Sequence, residues 1–249
     1  NCRPPIPGNN GLVHWSVNIQ GQGSGLMQKS ARFTGDLSSL WKLQNLPPIQ
    51  HLTWDWWWWL VMLDDEGGNP AGKQLMVLWS TKDNPLVEVN GHPWKPVGRP
   101  GFDEHGGIAM DGMVAAWWYD GSEMIEPLVL EESRIIVISE DHPEWPYEKG
   151  GIVASKTDRE FSMGLNSEEN QFWLRLDTEH GEFDLKMEPW NNAMSSMKVA
   201  QSEYGLGMGY GISRLHGALC TGKIKGKNVQ GSAYFQKVCV QAPSPPWFW

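Results

Sequence analysis

The aromatic run from Trp54 to Trp59 is the strongest chemical feature of the sequence. Alternate side chains of a strand face opposite sides, so Asp55, Trp57 and Trp59 would share one face. Burial among indoles disfavours the charged form of a carboxylate, and Asp55 could therefore serve as a general acid. The alternative is that Asp55 begins the strand and hydrogen-bonds to backbone or to an indole N–H.

A second cluster places Asp103, Glu104 and His105 directly before a Gly-Gly turn. Two carboxylates and an imidazole could relay a proton or hold one metal ion, but their spacing matches no metal-ligand signature. We therefore predict no metal site and take Glu104 and His105 as candidate catalytic residues. A solvated loop is the alternative interpretation.

Further aromatic side chains could complete a binding site. On a predicted strand, Trp117 and Tyr119 share one face and Trp118 lies on the other. With Trp57 and Trp59, they are the predicted wall of a cavity for an apolar substrate. A plain hydrophobic core is the alternative.

The C-terminal hairpin offers polar groups for the same site. We expect Lys237 to face solvent together with Phe235, so that Tyr234 and Gln236 point inward. A buried Tyr–Gln pair needs hydrogen-bond partners, and a polar ligand group or a bound water could provide them. Backbone partners are the alternative.

One predicted strand carries acidic side chains on a single face. Glu182, Asp184, Lys186 and Glu188 alternate with apolar residues. Two carboxylates on one strand are what a glycosidase needs. The pattern loosely resembles the E-x-D-x-x-E strand of laminarinase-type glucanases, although the last spacing differs and a lysine intrudes. Ordinary solvent exposure of one face of an antiparallel sheet is the alternative.

Composition narrows the classes of partner. The chain has 249 residues, a net charge of −9, three cysteines and 16 tryptophans. It shows no basic face for a nucleic acid. Its longest apolar run, Trp56–Leu63, is far shorter than the roughly 18 residues of a membrane helix, which leaves only peripheral membrane contact open. Cys220 and Cys239 could form a disulfide across a hairpin or remain two buried thiols.

Strands must position these side chains. Short apolar runs alternate with turns rich in Gly, Pro, Asn and Asp, which predicts an all-β protein built as a large antiparallel β-sandwich or a barrel. Two short helices are predicted at Ser38–Leu43 and Asn191–Gln201. The predicted strands are Leu12–Ile19, Leu52–Leu63, Lys73–Ser80, Leu86–Val89, Gly112–Tyr119, Arg134–Ser139, Glu160–Leu165, Gln171–Asp177, Glu182–Glu188, Tyr210–Thr221 and Asn228–Gln241.

Two motifs resemble a known family. The strand Trp54–Trp59 is similar to the E-W-W-type strand of the lipocalin-like hydroxyneurosporene synthase (carotenoid 1,2-hydratase) and AttH-like family. The hairpin Gly231–Val238, followed by Pro245-Pro-Trp-Phe-Trp249, resembles the end of that family's N-terminal region. The resemblance covers these two motifs and the all-β pattern.

The resemblance implies a domain plan. Members have two lipocalin-like (calycin) β domains with an apolar pocket, and this chain would be mainly the first. Residues 1–30 would be an N-terminal extension with an early strand, and residues 31–249 the lipocalin-like all-β domain. A candidate hinge lies near 140–151, and a second C-terminal barrel is expected to be absent from this chain.

The resemblance also implies a chemistry. Members hydrate or cyclise C=C bonds of polyene, terpenoid or polyketide substrates without a metal or organic cofactor. Asp55 stands where the family often has Glu, and it would protonate an alkene while indole faces stabilise the carbocation. Tyr234 and Gln236 would orient water or a substrate oxygen. The predicted partner is a small apolar molecule, and no cofactor is predicted.

Two alternatives from other functional classes remain. A carbohydrate-active or carbohydrate-binding β-sandwich would use Glu182 and Asp184 and would show solvent-exposed tryptophans. A non-catalytic carrier of an apolar ligand would have a closed, dry pocket with no titratable group inside, so Asp55 would point away from it.

Overall fold

The computed structural model describes residues 53–83, 87–89, 91–94, 101–102, 108–138, 151–154, 159–166, 169, 171–190, 195–199 and 209–241. All of them belong to the unit Ala31–Trp249. The predictions made for residues 1–30, for the helix Ser38–Leu43, for Glu104 and His105, and for residues 140–150 of the candidate hinge lie outside the described residues.

Every regular element among the described residues is a strand, which confirms the all-β class. The fourteen strands are β1 Thr53–Leu63, β2 Lys73–Asp83, β3 Val87–Val89, β4 His92–Trp94, β5 Gly101–Phe102, β6 Ile108–Tyr119, β7 Met124–Ile138, β8 Gly151–Ala154, β9 Phe161–Asn166, β10 Gln171–Thr178, β11 Gly181–Pro189, β12 Ser195–Val199, β13 Gly209–Ile224 and β14 Lys227–Gln241.

The helix predicted at Asn191–Gln201 is wrong where the structure describes it. Ser195–Val199 is strand β12 and pairs antiparallel with β13, with Ser195 opposite Arg214. Helix propensity is a weak local preference, worth less than 1 kcal/mol per residue for ordinary side chains. Backbone pairing with a long neighbouring strand overrides it.

Antiparallel pairing joins most strands into a single ring. The neighbours run β11-β10-β9-β8-β7-β6-β2-β1-β14-β13, and a further pairing of β11 with β13 joins the two ends. β12 adds to β13, β5 adds to β6, and β3 and β4 form a separate two-stranded sheet. Of the two predicted architectures, this closed pairing is that of a barrel.

The inner face of the ring holds one continuous hydrophobic core. On β1 the inward side chains include Trp57, Trp59, Val61 and Leu63, all of them fully buried. Neighbouring strands supply further rings and aliphatic groups, among them Trp79, Trp118, Phe161, Phe172, Phe183 and Phe235. The interior among the described residues is therefore packed with aromatic side chains.

The outer face of β1 is also apolar, because the tryptophan run supplies both faces. At the start of the strand, Trp56 is buried in a small second cluster with Ile212, Val238 and Val240. At its other end Met62 is 37% exposed. The outer face of this strand is therefore buried at its start and partly exposed at its end.

The register between β1 and β14 fixes the site described below. It runs without a shift from Thr53 opposite Gln241 to Leu63 opposite Gly231. A Cβ atom on Gly231 would lie 2.1 Å from the carbonyl oxygen of Met62, so the two backbones approach closely where this pairing ends. Only glycine fits that approach without moving one of the strands.

Candidate functional site

Asp55 lies inside the ring, near the start of β1. Only 3% of it is exposed, and it lies on the same face as Trp57 and Trp59. Its Oδ1 accepts a 2.5 Å hydrogen bond from Nζ of Lys237. The sequence predicted the burial of this carboxylate among indoles but not its partner.

Lys237 also points inward, which corrects the prediction that it faces solvent. It lies opposite Trp57 in the β1–β14 register, and directly opposed residues share a face of the sheet. Only 2% of the residue is exposed. Its Nζ lies 4.0 Å from the centre of the Trp57 ring and donates a 3.1 Å hydrogen bond to the carbonyl oxygen of Val238.

These contacts define the chemistry that the pair can perform. Each charge is removed from water and compensated by the other, and the indole face adds a cation–π contact to the ammonium. The ammonium is the proton donor of the pair and the carboxylate is the acceptor. Asp55 is therefore held as one half of an ion pair rather than as the isolated acid that the sequence predicted.

The indoles of the predicted wall fall into two groups. Trp57 and Trp59 point into the ring as expected, and Trp59 packs against Phe172 and Phe235 at ring-centroid distances of 5.4 and 4.7 Å. Their strand therefore supplies the interior wall around the ion pair.

Trp117 and Tyr119 do not join that wall, which corrects the predicted set. Trp118, opposite Leu75 of β2, is the β6 residue that enters the core, whereas Trp117 and Tyr119 are partly exposed. The hydroxyl of Tyr119 donates a 3.0 Å hydrogen bond to the carbonyl oxygen of Gly121 in the adjoining turn. The prediction chose the wrong face of this strand.

Tyr234 and Gln236 lie on the outer face of β14, again opposite to the prediction. The Tyr234 hydroxyl donates a 3.0 Å hydrogen bond to Oε1 of Gln236, so the two polar side chains are hydrogen-bonded to each other. Trp58 packs edge-on against the Tyr234 ring at 5.7 Å. Burial raises the pKa of Tyr234, and the nearby Arg214 guanidinium opposes that shift. This pair does not meet the Asp55 site.

The remaining candidates behave as ordinary structural groups. Glu182 and Asp184 lie on the exposed face of β11, and Arg175 lies 3.6 Å from the Asp184 carboxylate. Cys220 is a buried free thiol, so the structure does not contain the disulfide with Cys239 that the sequence left open. Burial raises the pKa of this thiol to about 12. Within the described part of the chain, no group of His, Cys, Asp and Glu could hold a metal ion.

An open cleft of about 590 Å³ lies at the hairpin end of the ring, near the turns that follow β1, β6 and β13. Its lining includes the core side chains Trp118 and Ile224 and a rim of mixed charge that contains Lys73 and Asp120. Hydrogen bonds from the backbone N–H of Glu123 and from the hydroxyl and backbone N–H of Ser122 lower the pKa of Asp120 to about 2. This carboxylate therefore stabilises the turn that follows β6.

Two buried indoles differ in their hydrogen bonding, and this difference predicts their stability effects. Nε1 of Trp79 donates a 3.2 Å hydrogen bond to the carbonyl oxygen of Phe161. Nε1 of Trp59 has no such partner among the described groups. We expect Trp79→Phe to lower the free energy of unfolding by about 1–3 kcal/mol more than Trp59→Phe does, because it orphans a buried carbonyl.

Urea unfolding of the two variants, followed by circular dichroism, measures that difference. The substitutions remove the same atoms from equally buried side chains, so each is the control for the other. Equal losses of stability would contradict the assigned hydrogen bond.

Fold and site together define an all-β domain whose closed ring of strands carries the Asp55–Lys237 ion pair in an aromatic interior. Comparison with protein-family models finds no match, and comparison with curated proteins finds none either. Among the described residues there is no helix long and apolar enough to span a membrane.

Comparison with solved structures finds distant likenesses. One is a putative AttH from Nitrosomonas europaea, with 11% identity and a TM-score of 0.43 over 78% of this chain and 53% of that chain. Another is the S-type phycobiliprotein lyase CPES from Guillardia theta, with 10% identity and a TM-score of 0.26 over 76% of this chain and 88% of that chain. This chain thus spans about half the length of the first. Likenesses this weak assign no activity.

Proposed function

We propose that this chain binds an apolar small molecule at the Asp55 end of its ring and acts on it by proton transfer. The reaction class is hydration or cyclisation of a C=C bond in a polyene- or terpenoid-like substrate, without a metal or organic cofactor. The observation that carries the proposal is the buried Asp55–Lys237 ion pair against the face of Trp57.

Stability alone is a weak reason to keep such a pair. Replacing a buried ion pair by apolar side chains of similar volume is often neutral or stabilising. Charged groups held in an apolar interior are characteristic of functional sites, where they act as acids and bases. The indoles of Trp57 and Trp59 lie on the same face of β1 as Asp55 and are fully buried, so the surroundings of the pair are apolar, as a hydrocarbon substrate would require.

The pair can supply both halves of a proton transfer. Lys237 would donate a proton, or a hydrogen bond, to a conjugated C=C–C=O group of the substrate. Asp55 would accept a proton from the water that adds to the double bond, or from the carbon that loses it during ring closure. Charge that develops on the substrate would be stabilised by the indole face of Trp57. The proton donor is thereby reassigned from Asp55 to Lys237.

The inward orientation of Asp55 supports this proposal over a passive carrier of an apolar ligand, because such a carrier would have no titratable group inside its pocket.

The exposure of the tryptophan side chains bears on the carbohydrate alternative. Trp190, at 67% exposure, is the one described tryptophan that the structure places largely in solvent. A saccharide platform built from several exposed indoles therefore has less support in this part of the chain.

Intrinsic tryptophan fluorescence tests binding. All-trans-retinol, a polyene that accepts energy from indoles, is expected to quench the emission in a saturable way. The quench should weaken strongly in the Trp57→Phe/Trp59→Phe variant. Trp117→Phe, on the outer face of the sheet, is the matched control and should bind as the unaltered protein does.

Soluble laminarin serves as the comparison ligand in the same titration. A response to laminarin with none to retinol would overturn the proposal in favour of the carbohydrate alternative. Circular dichroism of each variant establishes that its strands remain folded. An unchanged retinol quench in the folded double variant would place binding elsewhere on the molecule.

A further inference from the structure

Lys237 is a buried lysine whose Nζ is hydrogen-bonded to a carboxylate that could take up one of its protons. We propose that Lys237 captures an apolar aldehyde inside the ring as an imine, with Asp55 as the counter-ion. This inference rests on the proposed function, because it requires the same interior site. It adds a covalent step and names the ligand class, a slender aldehyde with a hydrocarbon chain.

Burial distinguishes Lys237 from the other lysines whose exposure the structure describes. Lys186, Lys223, Lys225 and Lys227 are exposed and Lys73 is partly exposed, whereas Lys237 is 2% exposed. A lysine on the surface keeps its ammonium in water. A lysine in an apolar pocket can be used as a neutral amine, and buried lysines form Schiff bases with carbonyl substrates.

The ion pair provides the proton movements that an imine requires. Nζ would pass one proton to Oδ1 of Asp55, the atom to which it is already hydrogen-bonded. The neutral amine would then attack the aldehyde carbon, forming the C–N bond while the carbonyl π electrons move to oxygen. The oxygen takes up two protons, one from Nζ and one from Asp55, and leaves as water.

The product restores the original charge arrangement. The nitrogen keeps one proton as an iminium cation, and Asp55 is again a carboxylate beside it, so one aldehyde enters and one water leaves. The iminium would retain the face of Trp57, which lies 4.0 Å from Nζ before reaction. Exclusion of water from this interior would slow hydrolysis of the imine.

Reductive trapping with a matched pair of probes tests the inference. Citral and geraniol share one terpenoid carbon skeleton, but only citral carries an aldehyde. Citral at equimolar concentration with sodium cyanoborohydride is expected to give a single adduct, found by intact-protein mass spectrometry. Peptide mapping should place it on Lys237, where trypsin then fails to cleave. Geraniol should alter tryptophan fluorescence and give no adduct.

Two variants sharpen the assignment. Lys237→Arg keeps the positive charge but cannot form an imine, so the adduct should disappear. Lys227→Arg alters an exposed lysine and should leave the adduct unchanged. The map of the unaltered protein locates the adduct even if Lys237→Arg fails to fold, and urea-unfolded protein shows the pattern expected when every lysine is equally accessible.

The outcomes separate the two proposals. Geraniol binding together with citral adducts spread over surface lysines, at the same level in Lys237→Arg, would overturn imine formation and leave the binding proposal standing. Absence of both geraniol binding and a Lys237 adduct would overturn both. A single Lys237 adduct that forms in the folded protein and not preferentially in the unfolded one would establish the covalent step.

Discussion

Lys237→Met is expected to lower the free energy of unfolding by about 3–5 kcal/mol, the usual cost of removing one partner from a buried ion pair. The loss arises because the Asp55 carboxyl group would stay buried inside the ring with its ammonium partner gone. The side chains of Lys237 and Asp55 are only 2% and 4% exposed, so water cannot replace that partner without opening the structure. Urea unfolding monitored by tryptophan fluorescence measures the change.

Two controls separate the lost ion pair from lost packing. In Asp55→Leu/Lys237→Met neither charge remains, and we expect it to recover most of the stability. Lys227→Met removes a lysine whose side chain is 81% exposed and should change little. A Lys237→Met protein as stable as the unaltered one would contradict the burial of the pair.

Phe235→Ala is expected to lower the free energy of unfolding by about 3–5 kcal/mol, the range for truncating a buried phenylalanine. Phe235 is fully buried on β14 and contacts both Trp59 and Phe172, with ring centroids 4.7 and 5.6 Å away. Its removal would leave a cavity where β1 and β14 meet β10 across the interior. Thermal or urea unfolding checks the value.

The matched control is Leu219→Ala on the neighbouring strand β13. Leu219 is 45% exposed on the outer face, and its truncation should cost far less. If Phe235→Ala prevents folding, Phe235→Leu removes fewer atoms and is expected to give a smaller, measurable loss. Similar losses for Phe235→Ala and Leu219→Ala would contradict the assignment of the two faces.

Local patterns were sufficient to predict the strands. Alternating apolar residues bounded by explicit turns located β1, β2, β10, β11 and β14. For these strands, the predicted ends lie within a few residues of the observed ends. Burial of Asp55 followed from the indoles around it. The closing pair of the ring, β11 with β13, depends on contacts distant in the chain, which no local pattern specifies.

The orientation of strand faces was harder to predict. In β14, Gln236 and Lys237 are both polar, so alternation alone does not say which side chain enters the core. The register with β1 decides it, because it places Lys237 opposite the inward Trp57. One local signal was present in the sequence: Lys237 shares its face with Phe235, which is an unusual companion for a solvent-facing lysine.

On β6 the same problem arose from three consecutive aromatic residues. The sequence Trp117-Trp118-Tyr119 offers a ring to either face, and a shift in the β6–β7 pairing lies between Ala116 and Trp118. Pairing with β2 brings Trp118 into the core and leaves its neighbours outside. A shift of one residue reverses every side chain of a strand, so such a choice requires the tertiary structure.

Pairing of β1 with both β2 and β14 has a consequence for how the protein is made. β2 follows β1 closely in the chain, but the partner of Thr53 on the other side is Gln241. During translation β1 can acquire its first neighbour early, while its second edge waits for the last of the described strands to leave the ribosome. An unpaired edge on so apolar a strand invites association with other chains. The nascent protein would therefore depend on chaperone protection until β14 emerges, and a premature stop before β14 would leave that edge permanently open.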